Sequence, residues 1–233
     1  MKTVQLLPDD QDLLFIDSKP PKSNDLQTEI SKAYTYLNLF IKRTLDLLMV
    51  AVFMLFIGFW LFPIIALIIK LDSKGPVFFK QLRHGKDNKP FYCYKFRSMV
   101  INKSADTQQA TKNDPRITKV GKIIRKTSID ELPQLINVLK GEMSIVGPRP
   151  HPLPLNLEFS TKIDGFMDRH QFKPGLTGLA QARGFRGETA EFHQMYSRYK
   201  LDVLYLKKWS PWLDIKIIWM TAKSLISKTE NAY

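Results

Sequence analysis

Residues 47–69, LLMVAVFMLFIGFWLFPIIALII, carry no charged side chain over 23 positions. At about 1.5 Å per residue, a helix of that length reaches about 34 Å, enough for a hydrocarbon core of roughly 30 Å. The run lies too deep in the chain for a cleaved leader, and no small-residue cleavage site follows it. A buried globular helix rarely stays uncharged for so long, so the expectation is a membrane-bound chain. Lys42 and Arg43 precede the run, and Lys70, Lys74 and Lys80 follow it. Positive residues favour the cytoplasmic side, and here both flanks are positive. Pro63 removes a backbone donor about two-thirds of the way along and predicts a kink or break. A bent element entering and leaving by one face satisfies both facts. On residue physics alone, a straight single span stays open beside it.

Upstream, residues 1–40 read as a polar extension with Pro8, Pro20 and Pro21 and no recognisable chemistry. A 44% hydrophobic and 24% charged composition excludes a wholly disordered chain. A single cysteine, Cys93, excludes an intramolecular disulfide framework and a cysteine zinc cluster. The formal charge of +13 by itself suggests a nucleic-acid binder. Its distribution points elsewhere. Residues 1–69 sum to −1, residues 70–126 to +11 and residues 127–233 to +3. Excess charge beside an apolar run suits an anionic membrane surface or a phosphorylated substrate near it.

Downstream, VFFKQ (77–81), the turn-rich HGKDNKP (84–90) and FYCYKF (91–96) read as a β-hairpin. On an extended strand Lys95 and Arg97 share a face about 7 Å apart, a spacing that could grip a diphosphate. Lysine on an exposed edge for solubility is an equal reading. In residues 113–150, NDPRITKVGKIIRKTSIDELPQLINVLKGEMSIVGPRP, Leu132, Leu135, Ile136 and Leu139 predict one apolar helical face, and Gly141 its C-terminal cap. Taking Asp130 as N-cap places Pro133 in the first turn. Asp130 and Glu131 then either cap the helix or provide a nucleophile and a magnesium ligand. Arg116, Lys119, Lys122, Arg125 and Lys126 lie just upstream, where they could neutralise a diphosphate. Arg149 is fixed between Pro148 and Pro150, and Arg183 and Arg186 sit in the loop-like GLTGLAQARGFRG (175–187). Ser210-Pro211 predicts a final helix start, with Trp209, Trp212 and Trp219 suited to a bilayer interface or to a core. The four histidines show no metal spacing, and G-x-S-x-G and H-E-x-x-H are absent.

KRTLD (42–46), YKFRSM (94–99), NDPRIT (113–118), the 128–150 block, KPGLTGLAQ (173–181) and LDVLYLKKWSPWLDIKII (201–218) occur in that order. Together they resemble the bacterial sugar transferase family, monotopic polyprenyl-phosphate phosphoglycosyl transferases, from about Lys42 to Ile226. The resemblance implies an α+β fold: a mostly helical cytosolic catalytic domain with a small β-hairpin, anchored by one re-entrant membrane helix-break-helix. Residues 41–72 would be the re-entrant hairpin, broken near Pro63. Residues 73–233 would be the catalytic domain, with interfacial C-terminal helices. The implied reaction moves a phospho-sugar from a UDP-sugar to polyprenyl phosphate, releases UMP and passes through an aspartyl phospho-sugar. Carried over, Asp130 is the nucleophile, and Asp130 and Glu131 bind Mg²⁺. Lys95, Arg97, Arg125 and Arg149 match the family's basic positions. Arg183, Arg186 and Asp202 are looser substrate-binding matches, because the family varies around GFRGET. The implied partners are a UDP-sugar, polyprenyl phosphate and membrane lipids, with room for a homodimer and no nucleic acid. The implied location is the bacterial inner membrane, with the catalytic domain facing the cytoplasm. The sugar is not identified.

Overall fold

The computed structural model describes residues 35–102, 110–111, 114–185 and 192–226. Thr35 caps a helix by accepting the Asn38 N–H, and the apolar run extends that helix to Asp72. It begins at Tyr36, ahead of the expected boundary at 41. The expected extension lies almost wholly outside the described residues. The helix has three parts: α1 (Tyr36–Phe53), a π-helical turn (Met54–Gly58) and α2 (Phe59–Asp72), with Pro63 inside α2. Pro63 thus does not end the helix. Proline removes a backbone donor and crowds the carbonyl one turn earlier, and the wider turn just upstream accommodates such a defect.

Both ends of this helix dock on the rest of the protein. Near its start, Lys42 Nζ donates to the Val146 carbonyl (2.9 Å) and pairs with Asp214 (2.6 Å). Arg43 donates to the Val138 (2.6 Å) and Leu139 (3.0 Å) carbonyls. Asp46 accepts from the Ser144 hydroxyl (3.0 Å) and the Ile145 N–H (2.9 Å). At the other end Ile65 and Ile69 pack with Phe96 and Ile124, and Phe62 meets Phe96 edge-on at 5.2 Å. Between these docked parts, Leu55, Phe56, Ile57, Phe59 and Trp60 are exposed.

The expected hairpin forms from β1 (Phe78–His84) and β2 (Pro90–Phe96), paired antiparallel from Phe78↔Phe96 to His84↔Pro90. The chain then builds α3 (Lys119–Lys126), a 3₁₀ turn (Ile129–Glu131), α4 (Gln134–Lys140) and β3 (Ser144–Val146). It continues through α5 (Leu153–Ser160), a 3₁₀ segment (Phe166–Gln171), β4 (Gly175–Thr177), α6 (Leu179–Ala182), α7 (Phe192–Lys208) and α8 (Pro211–Ile226). The described protein is therefore mostly helical with two small sheets. The second sheet, a parallel β3–β4 pair, is absent from the sequence reading. The main core joins Leu135, Val138, Val146, Phe166, Tyr199 and Leu206 to Val50 of the apolar helix.

Two expectations on α4 and α8 hold. Gly141 ends α4 in the left-handed region (φ +80°), and the Ser210 hydroxyl accepts the Leu213 N–H at 3.2 Å as α8 begins. The α4 face is shifted, however. Leu135 and Val138 are buried together with Gln134 and Asn137, while Leu139 is 48% exposed. The reason is polar: the Asn137 amide accepts from the Tyr94 N–H (3.0 Å) and donates to the Tyr92 carbonyl (2.7 Å), tying α4 to β2.

Arg97 follows the last residue of β2 and closes the far end of the apolar helix. Its guanidinium donates to the carbonyls of Ser73 (2.7 Å) and Lys74 (3.1 Å) just past α2, and reaches the Ile69 carbonyl (3.5 Å), which also accepts the Ser73 N–H. Charged hydrogen bonds each contribute about 1.5–3 kcal/mol. Arg97→Met is expected to lower stability by about 2–3 kcal/mol in a melting experiment. Arg97→Lys should recover only part of this, because a single ammonium cannot reproduce the planar fork.

Candidate active site

Thr118 opens α3 by accepting the Gly121 N–H at 2.9 Å. A Cβ on Gly121 would lie 1.9 Å from the Ser98 carbonyl oxygen, so only glycine lets α3 press against the chain leaving β2. After α3, Ser128 takes a left-handed conformation (φ +58°) and turns the chain into the 3₁₀ segment. Asp130 and Glu131 sit in that turn. This corrects the expected cap: Pro133, not Asp130, precedes the first residue of α4, and no side chain caps it. The carboxylates are thereby released for other partners.

Glu131 has strong ones. Its Oε1 accepts from Lys95 Nζ (2.5 Å) and Arg149 Nη2 (2.7 Å), and its Oε2 from Arg149 Nη1 (3.2 Å). Burial alone would raise its pKa, but Arg149 and Lys95 outweigh it and hold the group well below the usual carboxylate range. Asp130 is only 6% exposed, and among the described residues no donor is hydrogen-bonded to its carboxylate. Burial pushes its pKa up to about 6; Lys95 opposes the shift and the Glu131 charge adds to it. Arg125 and Arg149 also oppose it, so both lie within electrostatic reach. Adjacent carboxyls with opposite shifts suit different roles, one basic and poised, the other a fixed anion.

Buried supports hold Arg149 in place. Arg169, fully buried, donates to the Arg149 carbonyl and pairs with Asp202 at 3.1 Å. Arg83 donates to the Pro150 carbonyl at 2.6 Å. Gly147 meets Gly175 backbone to backbone: a Cβ on Gly175 would lie 2.1 Å from the Gly147 nitrogen. The GPRP and KPGLTG segments are thus two sides of one contact.

The structure gathers Lys95, Arg125, Asp130, Glu131 and Arg149. It sends Arg97 to the end of α2 instead, because β2 stops at Phe96 and the shared strand face ends with it. Asp202 pairs with Arg169 and reaches Arg149 only through it. Arg183 follows α6, and the largest charge effects on Asp130 come from Lys95, Glu131, Arg125 and Arg149. Arg186 lies outside the described residues. Arg116 is paired bidentately with Asp114. Sequence reasoning missed Arg83, Arg169 and Asn137, whose burial no spacing signals.

Among the described residues no third acidic, histidine or cysteine side chain joins the two carboxylates. Such a donor set fits Mg²⁺, which commonly takes one or two carboxylates and completes its shell with phosphate oxygens and water.

The family described as bacterial sugar transferase matches residues 37–228. A UDP-glucose:undecaprenyl-phosphate glucose-1-phosphate transferase of Klebsiella pneumoniae is 49% identical over 195 residues, covering 83% of this chain and 42% of that protein. An exopolysaccharide production protein, PSS, of Rhizobium leguminosarum bv. phaseoli is 42% identical over 82% of this chain and 98% of its own length. A UDP-N-acetylgalactosamine-undecaprenyl-phosphate N-acetylgalactosaminephosphotransferase of Aeromonas hydrophila is 42% identical over 81% of this chain and 44% of its own. The chain spans less than half the length of the Klebsiella and Aeromonas relatives.

A carboxyl whose pKa rises from 3.8 to about 6 on folding keeps its proton longer in the native state, so its contribution to stability falls as pH rises through that window. Asp130→Asn removes the penalty. In metal-free buffer, its stability advantage over the native chain should grow between about pH 4 and pH 6, towards about 3 kcal/mol, and stay level above. Urea titrations of both proteins at several pH values measure this; a pH-independent difference contradicts a raised Asp130.

Proposed function

The chain belongs to the bacterial sugar transferase family, and on that premise we propose that it transfers a sugar 1-phosphate from a UDP-sugar to undecaprenyl or a related polyprenyl phosphate. The observation that carries the reading is the buried Asp130 carboxyl beside a Glu131 already neutralised by Lys95 and Arg149. In the first half-reaction an Asp130 oxygen forms a bond to the β-phosphorus. The bond from that phosphorus to the bridging oxygen breaks, and UMP leaves with the electron pair. In the second, an oxygen of the polyprenyl phosphate attacks the same phosphorus. The Asp130 carboxylate departs, leaving a lipid diphosphate sugar. Covalent catalysis lets one small site serve two bulky phosphates in turn.

Arg149 and Lys95 fix Glu131 and present charge to the diphosphate, and Arg125, whose buried Nε has no hydrogen-bond partner among the described residues, adds its charge near Asp130. Mg²⁺ held by Asp130 and Glu131 would neutralise phosphate charge during transfer. The product is the first lipid-linked intermediate of exopolysaccharide, capsule, O-antigen or related glycan assembly.

The apolar helix is read as a re-entrant anchor in the bacterial inner membrane, with the catalytic domain on the cytoplasmic side. Support comes from the docking of both its ends on that one domain. Between them, the exposed apolar side chains from Leu47 to Leu71 offer a surface for the acyl layer. Trp212 and Trp219, 74% and 62% exposed on α8, add an apolar surface suited to the interface.

Incubating the protein with UDP-sugars and Mg²⁺ but no lipid is expected to release UMP and add one phospho-sugar to the intact mass. Asp130→Asn is expected to abolish both; full turnover by that variant overturns the nucleophile. In a Cys93→Ala background, Phe40→Cys and Lys74→Cys should both resist a membrane-impermeant thiol reagent applied to the periplasmic face. Labelling of either restores the single span.

A further inference from the structure

A second cationic site lies at the foot of the apolar helix, built from residues the catalytic reading leaves unused. It is a cavity of about 560 Å³ where α1, the hairpin loop, β3 and the segment before β4 meet. Lys42, Arg43, Lys86 and Lys173 line it, against the carboxylates of Asp46 and Asp87. None of the residues around Asp130 contributes.

The charges in this cavity are unequally satisfied. Lys42 is paired with Asp214, and Asp46 accepts from the neutral Ser144 hydroxyl and Ile145 N–H, leaving three cations against the Asp46 and Asp87 carboxylates. Arg43 donates only to neutral carbonyls, so its charge is not cancelled. Lys173 is half-buried, and among the described residues it makes no hydrogen bond or ion pair. Burial and then the Arg43 charge pull its pKa down, Asp46 opposes the shift, and Lys86 and Lys42 add to it. The Lys173 ammonium lies 3.6 Å and the Arg43 Nη2 3.8 Å from the point where a Cβ on Gly141 would stand, so the two are at most 7.4 Å apart. Charge-assisted bonds of about 2.8 Å from two oxygens of one phosphate reach across such a gap.

The rim is apolar. Leu39 forms one wall, and Tyr36, Leu37 and Phe40 beside it on α1 are exposed. A ligand seated here would place an anionic head among the cations and an apolar tail along the helix. We infer that this cavity binds the phosphate of an anionic phospholipid, as a site separate from the Asp130 centre. Free phosphate shares the headgroup chemistry but gains nothing from the apolar rim.

The test reads binding in the absence of any UDP-sugar, so its outcome is independent of the proposed transfer. Native mass spectrometry of the full chain in detergent would follow retention of added phosphatidylglycerol, with phosphatidylcholine as the neutral comparison. Lys86→Gln combined with Lys173→Gln is expected to weaken phosphatidylglycerol retention on the order of 30-fold, from the loss of two cations at a lipid surface. It should leave phosphatidylcholine retention and the melting temperature unchanged. The exposed pair Lys122→Gln and Lys126→Gln removes the same charge elsewhere and should change neither lipid. Equal retention by both double variants overturns the site. Displacement of the adduct by millimolar inorganic phosphate assigns the cavity to free phosphate and overturns the lipid reading.

Discussion

A carboxylate cannot stay ionised in a low-dielectric interior unless cations follow it there, and Glu131 is that carboxylate. Its two partners come from distant parts of the chain: Lys95 from β2 and Arg149 from the segment after β3. One charge-balance requirement therefore fixes the hairpin, the turn after α3 and the GPRP segment around a point. It also sets the neighbouring group. Lys95 and Arg149 hydrogen-bond Glu131 and act on Asp130 only through space, so burial outweighs them there and the Asp130 proton is held to about pH 6. Two carboxyls joined by one peptide bond titrate apart because only one of them owns the cations.

The same elements are tied to the apolar helix. Arg43 binds the last carbonyls of α4, the helix that follows the carboxylate turn, and Asp46 binds the start of β3, which leads into Arg149. Arg97, two positions beyond Lys95, closes α2 at the other end. A rotation or shift of the apolar helix would strain both edges of the site at once. This registry gives a physical reason for KRTLD to stand immediately before the apolar run. The three charged side chains stand at the edge of an apolar run, and each is bonded to the folded part of the chain that follows it.

Sequence carried the parts of this arrangement that depend on local rules. The hairpin, the Gly141 stop and the Ser210-Pro211 start follow from residue types acting on their own backbone. The Asp130–Glu131 pair was visible, and the resemblance singled it out. Arg169 and Arg83 were not, because arginine is ordinarily a surface residue and nothing in GFMDRHQF or QLRHG announces burial. Asn137 escaped because a helical periodicity count discards polar positions, yet the buried face of α4 turns on that amide. Period-two spacing paired Lys95 with Arg97, and the strand ended between them. Pro63 was read as a break, and the helix instead widened for one turn ahead of it.

Charge shows the same division between local type and tertiary use. Within residues 70–126, three of the four arginines are fixed on protein partners: Arg83 on the Pro150 carbonyl, Arg97 on the end of α2 and Arg116 on Asp114. The fourth, Arg125, faces Asp130. Apart from Lys95, the described lysines fall the other way: Lys70, Lys74, Lys80, Lys86, Lys89, Lys119, Lys122 and Lys126 are all exposed. A planar fork with several fixed donors suits buried carbonyls and carboxylates, whereas a strongly hydrated ammonium is costly to bury. The +11 excess of this stretch is therefore two populations with separate physics. Three of these arginines hold buried or partly buried protein partners at fixed geometry, Lys95 joins them by binding Glu131, and the exposed lysines form a field that salt screens. That field attracts any polyanion without regard to its shape, whereas the buried set holds its partners at fixed geometry.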